Sequence, residues 1–364
     1  MAMERTRSGR PQLDRGGPEL KRREALAAAA RMGLGGAALA AALATDLAAG
    51  VPEALAAPDL PQKPYKFVFV NHVTTNPFFT PTIYGVQDAC AMLGCSNQWT
   101  GSKNSVVSEM VSAVQTAVAA KADGIAVCII DPTAFNKPIA DALAAGIPVI
   151  AYNADAPATS GNPRMAYVGQ DLYQSGLVMG RRWLKTVPKG SHVMLAIDTP
   201  GSLNLQPRLD GNIAAIKEAG NPVSYDVVNA GPQPEQELSR IESYYLSHKT
   251  VKGLFATGGS DTLAVAKVMQ KYNLPASGVH GGGYDLLPDT LTLINQGFLD
   301  FTIDQQPYLQ GFFPVVQLYL YKLSGGLMFP SDTDTGLRFV TKQTVGPYLA
   351  GSSRFEGSTT EAPK

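Results

Sequence analysis

Between residues 66 and 341, short apolar runs alternate with longer segments whose apolar residues recur at helical spacing. Residues 66–73 read as a strand, 81–93 as a helix stopped by Gly94, and 95–100 as a second short strand. In 104–121, Val107, Met110, Val111, Val114 and Val118 share one helical face. Residues 124–130 (Gly-Ile-Ala-Val-Cys-Ile-Ile) form an unbroken run, as expected of a strand buried on both sides. A helix over 133–145, ended by Gly146, and a strand over 147–152 follow. A second series then repeats the pattern. Helices are predicted over 172–185, 203–219, 235–247, 261–272, 288–295 and 307–323, and strands over 192–197, 223–228, 251–256, 278–282, 298–303 and 337–341. Strands alternating with helices of this length mean parallel sheets with right-handed crossovers. The fold class is therefore α/β, with two Rossmann-like lobes and a cleft where the strands' carboxyl ends meet.

The first 56 residues break this pattern. Lys21-Arg22-Arg23 precedes an Ala/Gly/Leu stretch from Ala25 to Ala44, and Ala54-Leu55-Ala56 resembles a cleavage site. Consecutive arginines point to a twin-arginine export signal, so the mature chain is expected to be periplasmic or extracellular. Arg31 within a weakly apolar stretch argues against a stable membrane span. At the other end, residues 351–364 are polar and rich in Gly, Ser and Thr, as in a disordered tail.

Thirty basic and thirty acidic residues balance, so no nucleic-acid footprint is implied. Four histidines (His72, His192, His248, His280) have no metal spacing, and neither a cofactor fingerprint nor a Ser-His-Asp arrangement stands out. No enzyme, metal or cofactor is expected. Cys90, Cys95 and Cys128 are an odd count, which in an exported chain leaves at least one free thiol, and three buried thiols are expected. A local bridge between Cys90 and Cys95 is a question of geometry.

Candidate binding residues follow the strands. Asn76-Pro77-Phe78-Phe79 places an amide and two aromatic faces after the first strand, suited to a hydroxylated ring. Asn153, with Asp155 behind it, follows the strand over 147–152; Ser260 and Asp261 follow that over 251–256; Asp285 and Gln305 follow the next two. Arg208 opens a helix and offers several donors in fixed geometry to adjacent hydroxyls.

Six motifs in order carry a resemblance over residues 65–345: Asn76-Pro77-Phe78-Phe79, Ala145-Gly146-Ile147-Pro148-Val149-Ile150, Arg208-Leu209-Asp210-Gly211, Ser260-Asp261-Thr262-Leu263-Ala264, Gly283-Tyr284-Asp285, and Thr302-Ile303-Asp304-Gln305-Gln306-Pro307. The chain resembles the ribose-type periplasmic substrate-binding proteins of bacterial ABC transporters. One departure is clear: Asn153-Ala154 stands where that family has Asp-Arg. The resemblance implies lobes of 65–168 plus 306–332 and of 169–305 plus 333–350. Three hinge crossovers would join them, near 169–171, 305–306 and 331–335. It also implies a monomer that clamps a monosaccharide or polyol and presents it to a membrane permease. The alternative is a receptor that passes a small-sugar signal, such as a furanosyl autoinducer, to a sensor protein.

Overall fold

The computed structural model describes residues 60–350 together with 354 and 355 of the 364-residue chain. The segment read as an export signal, and nearly all of the polar tail, lie outside the described residues.

The first sheet starts with β1 (Lys66–Asn71), in which Phe67, Val68, Phe69 and Val70 are buried. β2 (Ser96–Gly101) and β3 (Gly124–Val127) pair parallel on either side of β1. β4 (Val149–Tyr152) and β5 (Ala166–Gly169) extend the sheet beyond β3. The connecting helices are α1 (Thr80–Leu93), α2 (Val107–Ala119) and α3 (Asn136–Ala144). The predicted strand over 66–73 stops at Asn71 because that side chain turns the chain: its carbonyl accepts the Val73 N–H at 2.8 Å, while its amide donates to the Tyr152 hydroxyl at 3.0 Å.

The chain then crosses to a second lobe. Here α4 (Leu172–Trp183), β6 (His192–Ile197), α5 (Gln206–Glu218), β7 (Ser224–Asn229), α6 (Pro234–Ser247), β8 (Gly253–Ala256), α7 (Gly259–Lys271), β9 (His280–Gly282) and α8 (Pro288–Gln296) alternate. Its parallel sheet has the order β7-β6-β8-β9. β10 (Thr302–Asp304) continues from Phe301, which bridges Gly282 in parallel register. α9 (Pro307–Leu323) returns to pack on α1, and β11 (Thr333–Asp334) pairs with β5. The final crossing leads to β12 (Arg338–Val340), antiparallel to β10.

Two short strands went unpredicted. β5 follows Met165 as an apolar run too short to stand out, and β11 is two polar residues at a sheet edge. With residues 333–334 in the first sheet, the third crossing lies at 335–337, whereas the resemblance implied one near 331–335. In each lobe one helix pair meets backbone to backbone. A methyl group added at Gly85 or Gly311 would come within 2.1 Å of the Tyr308 carbonyl or 2.0 Å of the Thr82 carbonyl, between α1 and α9. Between α4 and α5, one at Gly176 or Gly211 would lie 2.1 Å from the Arg208 carbonyl or 2.2 Å from that of Tyr173.

The three crossings are knotted together. Thr335 donates its N–H to the Gly169 carbonyl (3.0 Å) and its hydroxyl to that of Gln305 (2.7 Å). The buried Gln310 amide donates to the Gln305 carbonyl at 3.1 Å, and Gln170 donates to the Gly336 carbonyl at 3.1 Å. No described helix is long and apolar enough to cross a membrane.

Candidate ligand-binding cleft

A cleft of about 1080 Å³ opens between the lobes at the carboxyl ends of the strands. Its first-lobe wall is aromatic. Pro77 starts a single 3-10 turn that directs Phe78 and Phe79 inward, with their rings edge-to-face at 4.7 Å. Phe79 is buried against His72 and Trp99, while Phe78 is half-buried and faces the cleft. His72 is 7% exposed, and burial holds its imidazole down at about 4, so it is neutral near pH 7. Its Nδ1 is buried without a hydrogen-bond partner.

The second-lobe wall is charged. Arg208 enters from the first turn of α5 with its guanidinium 3.9 Å above the Tyr284 ring. It donates to the Thr257 carbonyl and to Gln170 Oε1, both at 3.0 Å, and its Nε is buried and unpaired. Asp285 adopts a left-handed backbone (φ 70°) held by an N–H bond to Ile303, and the Thr302 hydroxyl donates to its carbonyl. Burial raises its carboxyl above the usual range, opposed by Arg208 and by the Gln305 amide that donates to Oδ1 at 2.7 Å. Gln305 stands at the second crossing. The Gln310 amide, which also contacts Gln305 Oε1, accepts from Asn153 Nδ2 at 3.0 Å. One chain of amides therefore runs from the first lobe to Asp285.

The walls also touch directly. The Leu203 N–H of the second lobe donates to the Ile130 carbonyl of the first at 3.2 Å, and Asn204 Nδ2 lies 3.5 Å from His72 Nε2. Opening the cleft requires these contacts to part.

A profile of the periplasmic binding protein domain matches residues 67–325. The chain belongs to that family. Among its binding-protein relatives, the xylose/arabinose-binding protein XylF of Sulfolobus acidocaldarius is 48% identical over 83% of this chain and 77% of its own length. An ABC transporter solute-binding protein of Burkholderia graminis C4D1M, solved with D-arabinose, shares the fold. Its TM-score is 0.72 at 24% identity, over 78% of this chain and 97% of that one. A carbohydrate transporter protein of Acidothermus cellulolyticus 11B, solved with myo-inositol, gives a TM-score of 0.69 at 25% identity, over 82% and 100%.

Within this binding-protein cleft, eight predicted positions line one cavity: Asn76, Phe78, Phe79, Asn153, Arg208, Ser260, Asp285 and Gln305. Two of them have local duties as well. Asn76 Oδ1 caps the turn by accepting the Phe78 N–H at 2.9 Å. The Ser260 hydroxyl donates to Glu237 at 2.8 Å.

Asp155 and Asp261 do not line the cleft. Asp155 pairs with Arg164 and caps Ala156, which occupies its carboxylate. Asp261 is fully buried at the third position of α7, its carboxylate reaching back over the helix start to accept the N–H groups of Thr257, Gly258 and Thr262. His72, Asp198 and Asn204 line the cleft too. They have no motif; only their proximity to strand ends marks them.

Proposed function

We propose that this chain captures a monosaccharide of the pentose class in the cleft and hands it to the permease of an ABC transporter. The carrying observation is the convergence, on one cavity, of the Phe78 ring with Asn153, Arg208, Asp285 and Gln305 from both lobes and a hinge. A pyranose has apolar C–H faces and a girdle of hydroxyls. A ring face suits the former, and a guanidinium, a carboxylate and amides suit the latter. The relation to a xylose/arabinose-binding protein supports pentoses over larger sugars.

Closure would act through the three crossings, since only the closed form touches the sugar from both sides. The twin-arginine-like segment would bring the folded monomer out of the cytoplasm. Isothermal titration against D-xylose, L-arabinose, D-arabinose, D-ribose, D-glucose and myo-inositol tests the reading. Saturable one-to-one binding, tightest for a pentose, is expected. Heat-silent titrations with the whole panel, backed by unchanged melting temperatures, would remove it.

A further inference from the structure

The end of α1 brings two thiols together through its own stop signal. Gly94 takes the left-handed conformation (φ 70°) that terminates a helix, and its N–H bonds the Cys90 carbonyl. The next N–H, of Cys95, bonds the same carbonyl at 3.1 Å. A helix ended this way sets the residue after the glycine against the one four before it, where apolar side chains ordinarily meet. Here both positions are cysteine, and each thiol shifts the other's titration.

We propose that Cys90 and Cys95 are a dithiol–disulfide pair that closes when the folded chain meets a low-molecular-weight disulfide. Cys95 is half-buried and open to attack, whereas Cys90 is 3% exposed behind it. The Cys95 sulfur attacks one sulfur of the small disulfide and releases one small thiolate. The Cys90 thiolate then attacks Cys95 Sγ and displaces the second. Two S–H bonds are lost and one S–S bond forms; the small disulfide takes up both electrons and leaves as two thiols. Exposure rather than acidity selects Cys95 as the attacking sulfur: in the reduced pair their interaction holds Cys90 below its ordinary value and pushes Cys95 well up, and it ends once Cys95 is a mixed disulfide, so the resolving step rests on proximity. Cys128 is a built-in control: it is fully buried, burial pushes it up to about 12, and its sulfur accepts from the Asn71 amide at 3.6 Å. Closed, the bridge would tie the end of α1 to the entry of the edge strand β2.

Both cysteines lie on tryptic peptide 67–103, and Cys128 lies on 122–164. The reduced, folded chain is incubated with oxidised glutathione, denatured in iodoacetamide without reductant, and digested. The expected result is an unalkylated 67–103 peptide lighter by two hydrogens, with Cys128 alkylated. The melting temperature should rise by about 2–4 °C, reversibly with dithiothreitol. Cys95→Ser, and separately Cys95→Ala, should abolish both changes, whereas Cys128→Ser should keep them. Alkylation of both Cys90 and Cys95, or a persistent glutathione adduct on Cys95, overturns the proposal. So does a bridge that forms only after denaturation.

Discussion

On the first-lobe wall, Phe78, Phe79 and a neutral His72 present rings, whereas on the second-lobe wall Arg208 and Asp285 present charge. The rings are set by one 3-10 turn and its packing on the core. The charges need more: Arg208 is fixed by Tyr284, Gln170 and the Thr257 carbonyl, and Asp285 by Gln305 and a left-handed backbone. The difference shows how a cleft can be both permissive and selective. Ring faces accept any flat apolar surface of suitable size, while preorganised donors and acceptors reject hydroxyls in the wrong place.

The walls differ in their response to acid as well, and this gives the largest expected effect. His72 titrates near 4 when folded against 6.5 ordinarily, so its stabilising contribution is present above 6.5 and lost as pH falls towards 4. Glu237, behind the opposite wall, is pushed by burial from 4.5 up to about 7. Its contribution is present below 4.5 and lost as pH rises through 7. Each amounts to at most about 3 kcal/mol, and the two oppose each other where their windows overlap. The windows nearly coincide, so urea unfolding of the wild type should vary little between pH 4.5 and 6.5, whereas His72→Gln should expose a stability that falls as pH rises and Glu237→Gln one that climbs. Parallel curves for wild type and both variants would break the contrast.

Removal of charge from the second wall comes next. Asp285→Ala should cost roughly 1.5–3 kcal/mol of sugar affinity, one to two decades in Kd by titration calorimetry. Unchanged affinity would take Asp285 out of the site. Phe78→Ala should cost roughly 1 kcal/mol, about equally for every cyclic sugar, because a ring face does not read stereochemistry. A loss confined to one sugar would show that this wall discriminates after all. The smallest effect belongs to Asp155→Asn, which removes charge from the Arg164 pair and should leave Kd within about twofold. Asp261→Asn should instead act on stability, costing about 1 kcal/mol in chemical denaturation through the α7 cap.

Much of this architecture was legible along the chain, for identifiable reasons. Buried parallel strands are continuous apolar runs, and Gly94 and Gly146 mark helix ends, so the order of elements followed directly. Cleft-lining residues carried by short motifs, such as Phe78 and Asp285, were legible too. Gln310 was not: it lies inside a long helix, and its partners Asn153, Gln305 and Thr335 meet it only through the fold. His72 leaves no mark in the sequence because histidine spacing signals only metal partners, and this one is a neutral ring in a wall. Asp261 looked like a ligand because a helix-capping carboxylate and a sugar-binding one occupy the same place after a strand.

The glycine contacts between α1 and α9, and between α4 and α5, bear on how this scaffold can vary. Arg208 sits three residues before Gly211, and Gln310 is next to Gly311. A single methyl at either glycine would wedge apart the helices that aim those side chains. The calibre of the sugar's seat is therefore governed by hydrogen atoms well outside it, and efforts to retune specificity should leave those two seams untouched while altering the residues that face the guest.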